Sequence, residues 1–276
     1  MPPGGRRHMT GPMVDNKHIP MGVRDFYRRS AAYQRHLAAK DMRHFEPYVR
    51  FVRRYVPAGA ALLDLGCGNG LSAAYLGQAG FRVTGCDLRI QSAAGRGPAA
   101  ALCEGDGLAL PFRDGTFDAV CASSYLEHVP DPATALAEMV RVCRRGGRVL
   151  IDGPNHLSPV HPAKAIIPRL LGQKAPPTPY GSTVTSISLT AARVLRWGCE
   201  KAVTRRCRFI QRRPDLGHPE AGGDLDALWW SNPADIRWWF REHGHRVIAS
   251  QTEGRTRWLA DWAAGAQVVA EVAGRR

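Results

Sequence analysis

Residues 62–71, LLDLGCGNGL, place three glycines within five positions directly behind an apolar run that one aspartate interrupts. A short apolar run ending in glycines and followed by a helical pattern reads as a buried strand, a bare turn and a helix. Apolar runs recur at 81–86, 117–122 and 148–151, with two more near 246–249 and 267–272. A further strand is expected to end just before Asp106. Helical stretches separate these runs and no hairpin turn joins them. Such alternation requires right-handed crossovers and a mostly parallel sheet covered on both faces, a doubly wound α/β fold.

The helix after Asp131 has a capping aspartate, Pro132 at its first position and a face of Leu136, Met139, Val140 and Cys143. Gly146 and Gly147 are expected to end it. Asn232 and Pro233 announce another helix in the same way. Residues 1–22 lack periodicity and read as a flexible tail, and 23–56 read as an N-terminal helical cap in which Pro47 separates two helices. Residues 57–276 then form the main domain. Within it, 153–231 is rich in loop chemistry (PNHLSPVHP, QKAPPTPYGS, RRPDLGHPEAGGD) and reads as an inserted lid over the site.

The chain of 276 residues carries a formal charge of +14, located unevenly. Residues 1–56 contribute a balance of +8 and 193–213 a balance of +7, whereas 57–155 come to −2. This distribution suits steering of an acidic substrate, a phosphate-tracking surface, or a solvated arginine-rich face. The seven cysteines are scattered and never spaced CxxC, against a disulfide framework and a structural zinc site. No run of eighteen apolar residues occurs and the opening MPPGGRRHMTGP lacks a secretory apolar block, so no membrane span and a cytoplasmic location are expected.

In a doubly wound sheet, ligands bind beyond the carboxyl ends of the strands. Gly66, Gly68 and Gly70 fall there, and Asp87 ends the second strand about twenty residues on, where a ribose acceptor belongs. Asp106, in EGDGLALPF, is placed to meet an adenine amino group. A dinucleotide wants GxGxxG and a helix N-terminus for its pyrophosphate; here the spacing is GxGxG, and Asp64 adds negative charge beside it. A phosphate-free cationic nucleoside fits better. S-adenosyl-L-methionine has an ammonium, a sulfonium and no phosphate.

These motifs resemble the class I S-adenosylmethionine-dependent methyltransferases, in the group similar to the ubiquinone/menaquinone-biosynthesis (type 11) enzymes. DLGCGNG, CDL, GDGLALPF, FDAVCASSYLEHVPDP and RRGGRVLI occur in the family's order between about 60 and 155. The resemblance implies a Rossmann-like seven-stranded sheet. It places Asp64, Gly66, Cys67 and Gly68 at the methionine part of the cofactor, Asp87 at the ribose, Leu88 beside the adenine, and Asp106 with Gly107 at its amino edge. Ser123 falls near the methionine amino group. The family also folds a helical cap over the cofactor where Tyr33 and His36 lie.

Methyl transfer from a sulfonium is an in-line displacement, so alignment and exclusion of water matter most, and a base serves an acceptor that must lose a proton. His128, beside Glu127 just past the fourth strand, is the candidate base. Asn155, His156 and His161 follow the fifth strand, and Trp229 with Trp230 offers an aromatic wall; these five are candidates for the acceptor pocket. The histidine spacing matches no metal-ligand pattern, and no metal is expected. The expectation is O-methylation of a small molecule, a natural product or sugar that is acidic if the charge steers it, with a homodimer as one possible assembly. Carbon or nitrogen acceptors, RNA or protein methylation, and cofactor binding without transfer are the alternatives. No nucleic-acid module is recognisable, and SSYLEH stands where amino-group nucleic-acid methylases carry an Asn/Asp-Pro-Pro-aromatic motif.

Overall fold

A computed structural model describes residues 21–90, 100–158, 160–175, 178–216, 224–250 and 265–274. The tail expected over residues 1–22 lies outside the described residues as far as 20, as do Trp258 and Trp262, and its last two residues, Met21 and Gly22, instead open the first helix. Three helices come first: α1 (Met21–Arg29), α2 (Ala31–Ala38) and α3 (Met42–Tyr55). Pro47 does not separate helices, because it lies inside α3. The chain breaks instead at residues 39–41, where the Asp41 carboxylate accepts from His44 N and starts the next helix.

The alternating part follows as β1 (Ala61–Leu65), α4 (Leu71–Gln78), β2 (Arg82–Asp87), β3 (Ala100–Glu104), β4 (Phe117–Ser123), a 3-10 turn (Leu126–His128), α5 (Pro132–Val142) and β5 (Cys143–Gly153). Then come α6 (Val160–Leu170), α7 (Val184–Thr204), α8 (Pro233–Glu242), β6 (Arg246–Ser250) and β7 (Ala266–Glu271). The seven strands are ordered β3-β2-β1-β4-β5-β7-β6. The first five pair in parallel, and β7 runs antiparallel to both β5 and β6. The order reverses between β1 and β4, which opens a crevice at their carboxyl ends.

Side chains on a strand alternate between faces, and the burial follows. Leu63 and Leu65 of β1 enter the core with α5 and α8, while Leu62 enters the opposite core with α3 and α4. Asp64 therefore points toward α3 and α4 and needs polar partners there. Asp131 and Asn232 cap α5 and α8 as the sequence predicts, accepting from Thr134 N and Asp235 N. Gly146 and Gly147 do not end α5, which stops at Val142. Both lie within the long β5, where Gly146 N donates to Val272 O and Gly147 O accepts from Val272 N. The register between β4 and β5 shifts here, and Gly146 adopts φ +70°, the left-handed conformation that glycine supplies at a bulge.

The insertion has a core of its own. Ala165, Ile187, Val194, Tyr180 and Trp230 gather α6 and α7 into a hairpin. Lys201 of α7 is buried and donates to Asp235 Oδ2 of α8 at 2.6 Å, which fastens the hairpin to the main domain. Asp235 also accepts from Asn232 Nδ2 and Arg208 N. A buried ion pair persists only when its remaining polar atoms are satisfied in this way.

Candidate active site

The turn from β1 into α4 is bare because its backbone demands it. Gly66, Gly68 and Gly70 all have positive φ (+76°, +56° and +79°), where a Cβ is strained. Space is short as well. A Cβ on Gly66 would lie 2.4 Å from the Tyr125 ring, and one on Gly68 would press Leu37 of α2 at 3.3 Å. Asn69 Nδ2 donates to Leu37 O, so the helical cap is docked on this turn.

Asp64, 1% exposed, accepts from Tyr48 Oη at 2.8 Å and Ser72 Oγ at 2.6 Å. Burial raises its pKa to about 6 against the opposing pull of these two donors. Asp87 accepts from Gly68 N at 2.8 Å and thereby ties the end of β2 to the glycine turn; burial raises its pKa too. Asp106 accepts from Leu108 N at 3.0 Å, just past β3. Three carboxylates thus stand at successive strand ends, as the sequence predicts.

Two cavities meet at this end of the sheet. The smaller, about 80 Å³, is lined by Asp87, Leu88, Asp106, Gly107 and Leu108 together with Val23, Tyr27 and Tyr125. The larger, about 610 Å³, is lined by Asp64, Gly66, Cys67, Gly68 and Ser123, with Lys40 from the cap and Asp224, Leu225 and Asp226 from the insertion. Tyr33, Gly66, Ser124 and His128 belong to both walls. Every residue read as cofactor-binding is therefore on one wall or the other, although Ser123 Oγ is turned to Asp152 Oδ2 at 3.2 Å. Tyr33 is on both walls, as the cap reading expects. The His36 side chain lies outside the described residues.

His128 is held from three sides. Tyr27 Oη donates to Asp226 Oδ2 at 3.0 Å and lies 3.0 Å from His128 Nδ1. With that hydroxyl proton given to Asp226, Nδ1 is the ring nitrogen that donates to Tyr27, and Nε2 is free to accept a proton. Glu127 Oε1 lies 3.7 Å from Nε2; the residue is 1% exposed, and this oxygen has no hydrogen-bond partner. Burial works against a charged imidazole, but Asp226, Glu127 and Asp224 outweigh it and raise the His128 pKa. Burial likewise raises the pKa of Glu127.

The five acceptor-pocket candidates are not on the cavity walls. Asn155 Oδ1 accepts from Leu157 N within its own loop. His156 is buried, accepts from Ser231 N at Nδ1 and meets Asp224 Oδ2 at 3.4 Å through Nε2. His161 is half-buried, with Nε2 unpaired. Trp229 lies in the main core and donates from Nε1 to Leu126 O, and Trp230 packs in the hairpin core. Of the described residues of the insertion, 224–226 reach the site. Tyr27, Asp224, Asp226 and Tyr125 escaped sequence reading. The only available signals were the acidic pair in GGDLDAL and the Tyr27–Tyr33 spacing on the early helices.

The residues present fit a cationic nucleoside. The glycine turn carries no arginine or lysine, and Asp64 on the wall of the larger cavity, with Asp87 and Asp106 on that of the smaller, would oppose a pyrophosphate laid along the turn. Residues 63–151 match the profile of a methyltransferase domain. The chain is 43% identical over 94 residues to a demethylmenaquinone methyltransferase of Corynebacterium kroppenstedtii, covering 34% of this chain and 41% of that one. It is 42% identical over 124 residues to the enzyme of that name from Thermobifida fusca, covering 42% and 50%. The match thus spans half or less of these relatives' length. In fold, it is similar to a Haloferax volcanii methyltransferase solved with the Trm112 methyltransferase activator: TM-score 0.53, 17% identity, 88% of this chain and 98% of that one. A SAM-dependent methyltransferase of Methanosarcina mazei gives a TM-score of 0.50 at 18% identity, over 82% and 98%. With the sheet order and the acidic strand ends in agreement, residues 63–151 match a methyltransferase domain, and over that stretch the chain is similar to the class I S-adenosylmethionine-dependent methyltransferases of the type 11 group.

Proposed function

We propose that this protein methylates a hydroxyl of a small-molecule acceptor, with His128 as the general base. S-adenosylmethionine supplies, when bound, an electrophilic methyl group on a sulfonium. The observation that carries the reading is the position of His128, on the wall common to both cavities, with Nδ1 engaged by Tyr27 and Nε2 left to accept. Asp87 and Asp106 hold the adenosine end and the Asp64 turn faces the methionine end. The acceptor then lies in the larger cavity, against Asp224 and Asp226. His128 Nε2 takes the hydroxyl proton as the oxygen attacks, and Asp226 and Asp224 beside it stabilise the resulting imidazolium. Tyr27 and Asp226 fix the ring and act as positioning residues.

Methyl-labelled cofactor offered with a panel of phenols, hydroquinones, sugars and amines tests this directly. Label in an acid-stable ether, with a rate that rises as His128 loses its proton, supports the reading. Label appearing only on amines, or a pH profile unchanged in His128→Asn, refutes it. Tyr27→Phe should lower kcat by roughly 3- to 10-fold with little change in KM, as expected of an orienting group.

One observation favours a second reading of the same wall. Glu127, His128 and Asp224 bring one ligand-capable atom each within 4.8 Å of one another, and Glu127 Oε1 is buried without a hydrogen-bond partner. Two carboxylates and an imidazole suit a divalent cation that would bind the acceptor oxygen in place of base catalysis. Activity abolished by a chelator and restored by Mg²⁺ or Mn²⁺ selects this reading; full activity in chelator rejects it.

A further inference from the structure

All six large apolar side chains strongly exposed among the described residues lie on the α6–α7 hairpin: Ile167, Leu170, Leu171, Leu189, Leu195 and Val203, between 55% and 83% exposed. They are not scattered. Ile167, Leu170 and Leu171 sit at i, i+3 and i+4 on α6 and its closing turn, and share one face. On α7, Leu189, Leu195 and Val203 line one stripe with exposed Ala192 and Cys199, at the three- and four-residue spacing of a helix surface. The opposite face of α7 buries Ile187 and Val194 in the hairpin core. Helix α7 thus sets exposed aliphatic side chains among exposed Ser188, Arg193 and Arg196 on its outward side, a mixed apolar and basic face.

The charges beside this stripe choose its partner. Between residues 160 and 206 the chain has eight Lys/Arg and one acid, Glu200, which pairs with Arg208. Lys164, Lys174, Arg193, Arg196, Arg205 and Arg206 are exposed. Arg193 borders the α7 stripe and Arg196 lies within it. We propose that the outward face of the α6–α7 hairpin docks on an anionic lipid bilayer, with its leucines in the headgroup boundary and its basic side chains on the lipid charges. A second copy of the chain is a poorer occupant, because a two-fold contact would set this basic surface against itself. RNA would answer the charge and leave the aliphatic stripe in water. No helix among the described residues is long and apolar enough to cross a membrane, so the contact is peripheral.

The hairpin adjoins the acceptor side of the site. Tyr180 of its core donates to His156 O, and His156 meets Asp224 on the wall of the larger cavity. Docking would therefore bring that cavity near the lipid surface. The surface itself does not depend on which acceptor is methylated.

Co-sedimentation of the full chain with vesicles of phosphatidylcholine, with and without about one-third phosphatidylglycerol, tests the proposal. Binding to the anionic vesicles is expected, weakening with added salt and falling tenfold or more in both Leu189→Glu/Leu195→Glu/Val203→Glu and Arg193→Glu/Arg196→Glu, on the order expected from lost apolar burial and lost basic charges. Melting temperature and S-adenosylhomocysteine binding should stay at parental values in both variants, since these positions are exposed. Three results would overturn it. The first is no preference for anionic vesicles, or unchanged binding by the triple-Glu variant. The second is a lipid-free dimer in sedimentation equilibrium that the triple change abolishes. The third is duplex RNA binding, lost only in the arginine variant, from a chain that leaves vesicles unbound.

Discussion

The glycine turn and the insertion partner their acids in opposite ways. Around the glycine turn the partners are near in sequence: Asp64 is served by Tyr48 and Ser72, 16 and 8 residues away, and Asp87 by Gly68, 19 away. On the insertion side they are distant: Lys201 is 34 residues from Asp235, His156 is 68 from Asp224, and Tyr27 is 199 from Asp226. The first arrangement is a property of a strand, a turn and the helices beside it, so a short motif specifies it. The second exists only when the cap, the main sheet and the insertion are assembled. On the proposed function, cofactor binding resides in the local half, while proton handling and acceptor choice reside in the assembled half.

Separating these halves by mutation gives the largest effect at His128. His128→Ala should lower kcat by about 10²- to 10⁴-fold, the usual contribution of a general base. The affinity for S-adenosylhomocysteine should stay within about 2-fold of the parent, because the cofactor groups are those of the local half. Steady-state kinetics beside calorimetry makes the comparison, and a joint collapse of both would mean that the halves are not separable.

Next in size is the buried pair. Lys201→Met leaves Asp235 charged and unpaired in the interior and should cost about 3–5 kcal/mol of unfolding free energy. Adding Asp235→Asn should recover much of that loss, since the unpaired charge is then gone. Urea unfolding of the parent, single and double variants checks this, and equal stability of parent and Lys201→Met contradicts it.

A pH test addresses the local half. Asp64 has a folded pKa of about 6 against an ordinary 3.8, so the folded state holds its proton more tightly. Its contribution to stability is therefore full below about pH 4 and is lost as pH rises through about 6, a change of about 2–3 kcal/mol. Asp64→Asn should remove that slope. The parent minus variant difference in unfolding free energy, measured from pH 4 to 7, should decline with pH and level off above about 6.5.

The smallest effect is expected at Ser124, a non-glycine residue at φ +46° that presents Tyr125 over Gly66 and Gly107. Ser124→Gly should relieve strain and raise stability by up to about 1 kcal/mol. A drop in thermal midpoint would show that the serine hydroxyl matters more than the backbone.

The same contrast explains what could be read from the chain. The strand, turn and helix of the glycine motif, the caps of α5 and α8 and the three acidic strand ends follow from local spacing, and each is found. Gly146 and Gly147 were misplaced because a glycine pair after a helix looks the same whether it stops that helix or forms a bulge in the next strand. Pro47 misled in a similar way, since only the Asp41 cap reveals that α3 begins upstream of it. Trp229 and Trp230 had the right composition for a pocket wall, but an aromatic doublet does not declare whether it faces a ligand or two cores. Tyr27 and Asp226 could not be paired by any period, because helix and strand spacing carries no information over 199 residues.

The central claim is that the bare turn after β1 and the acids at the strand ends hold a phosphate-free cationic nucleoside. Calorimetric titration of the full chain with S-adenosylhomocysteine, S-adenosylmethionine and a nicotinamide dinucleotide measures it most directly. Micromolar binding of the first two, weakened at least tenfold by Asp87→Ala, with no heat from the dinucleotide, is the predicted result, tenfold being about 1.4 kcal/mol and within reach of one lost charged hydrogen bond. Tight dinucleotide binding by a chain silent to both sulfur nucleosides would contradict it.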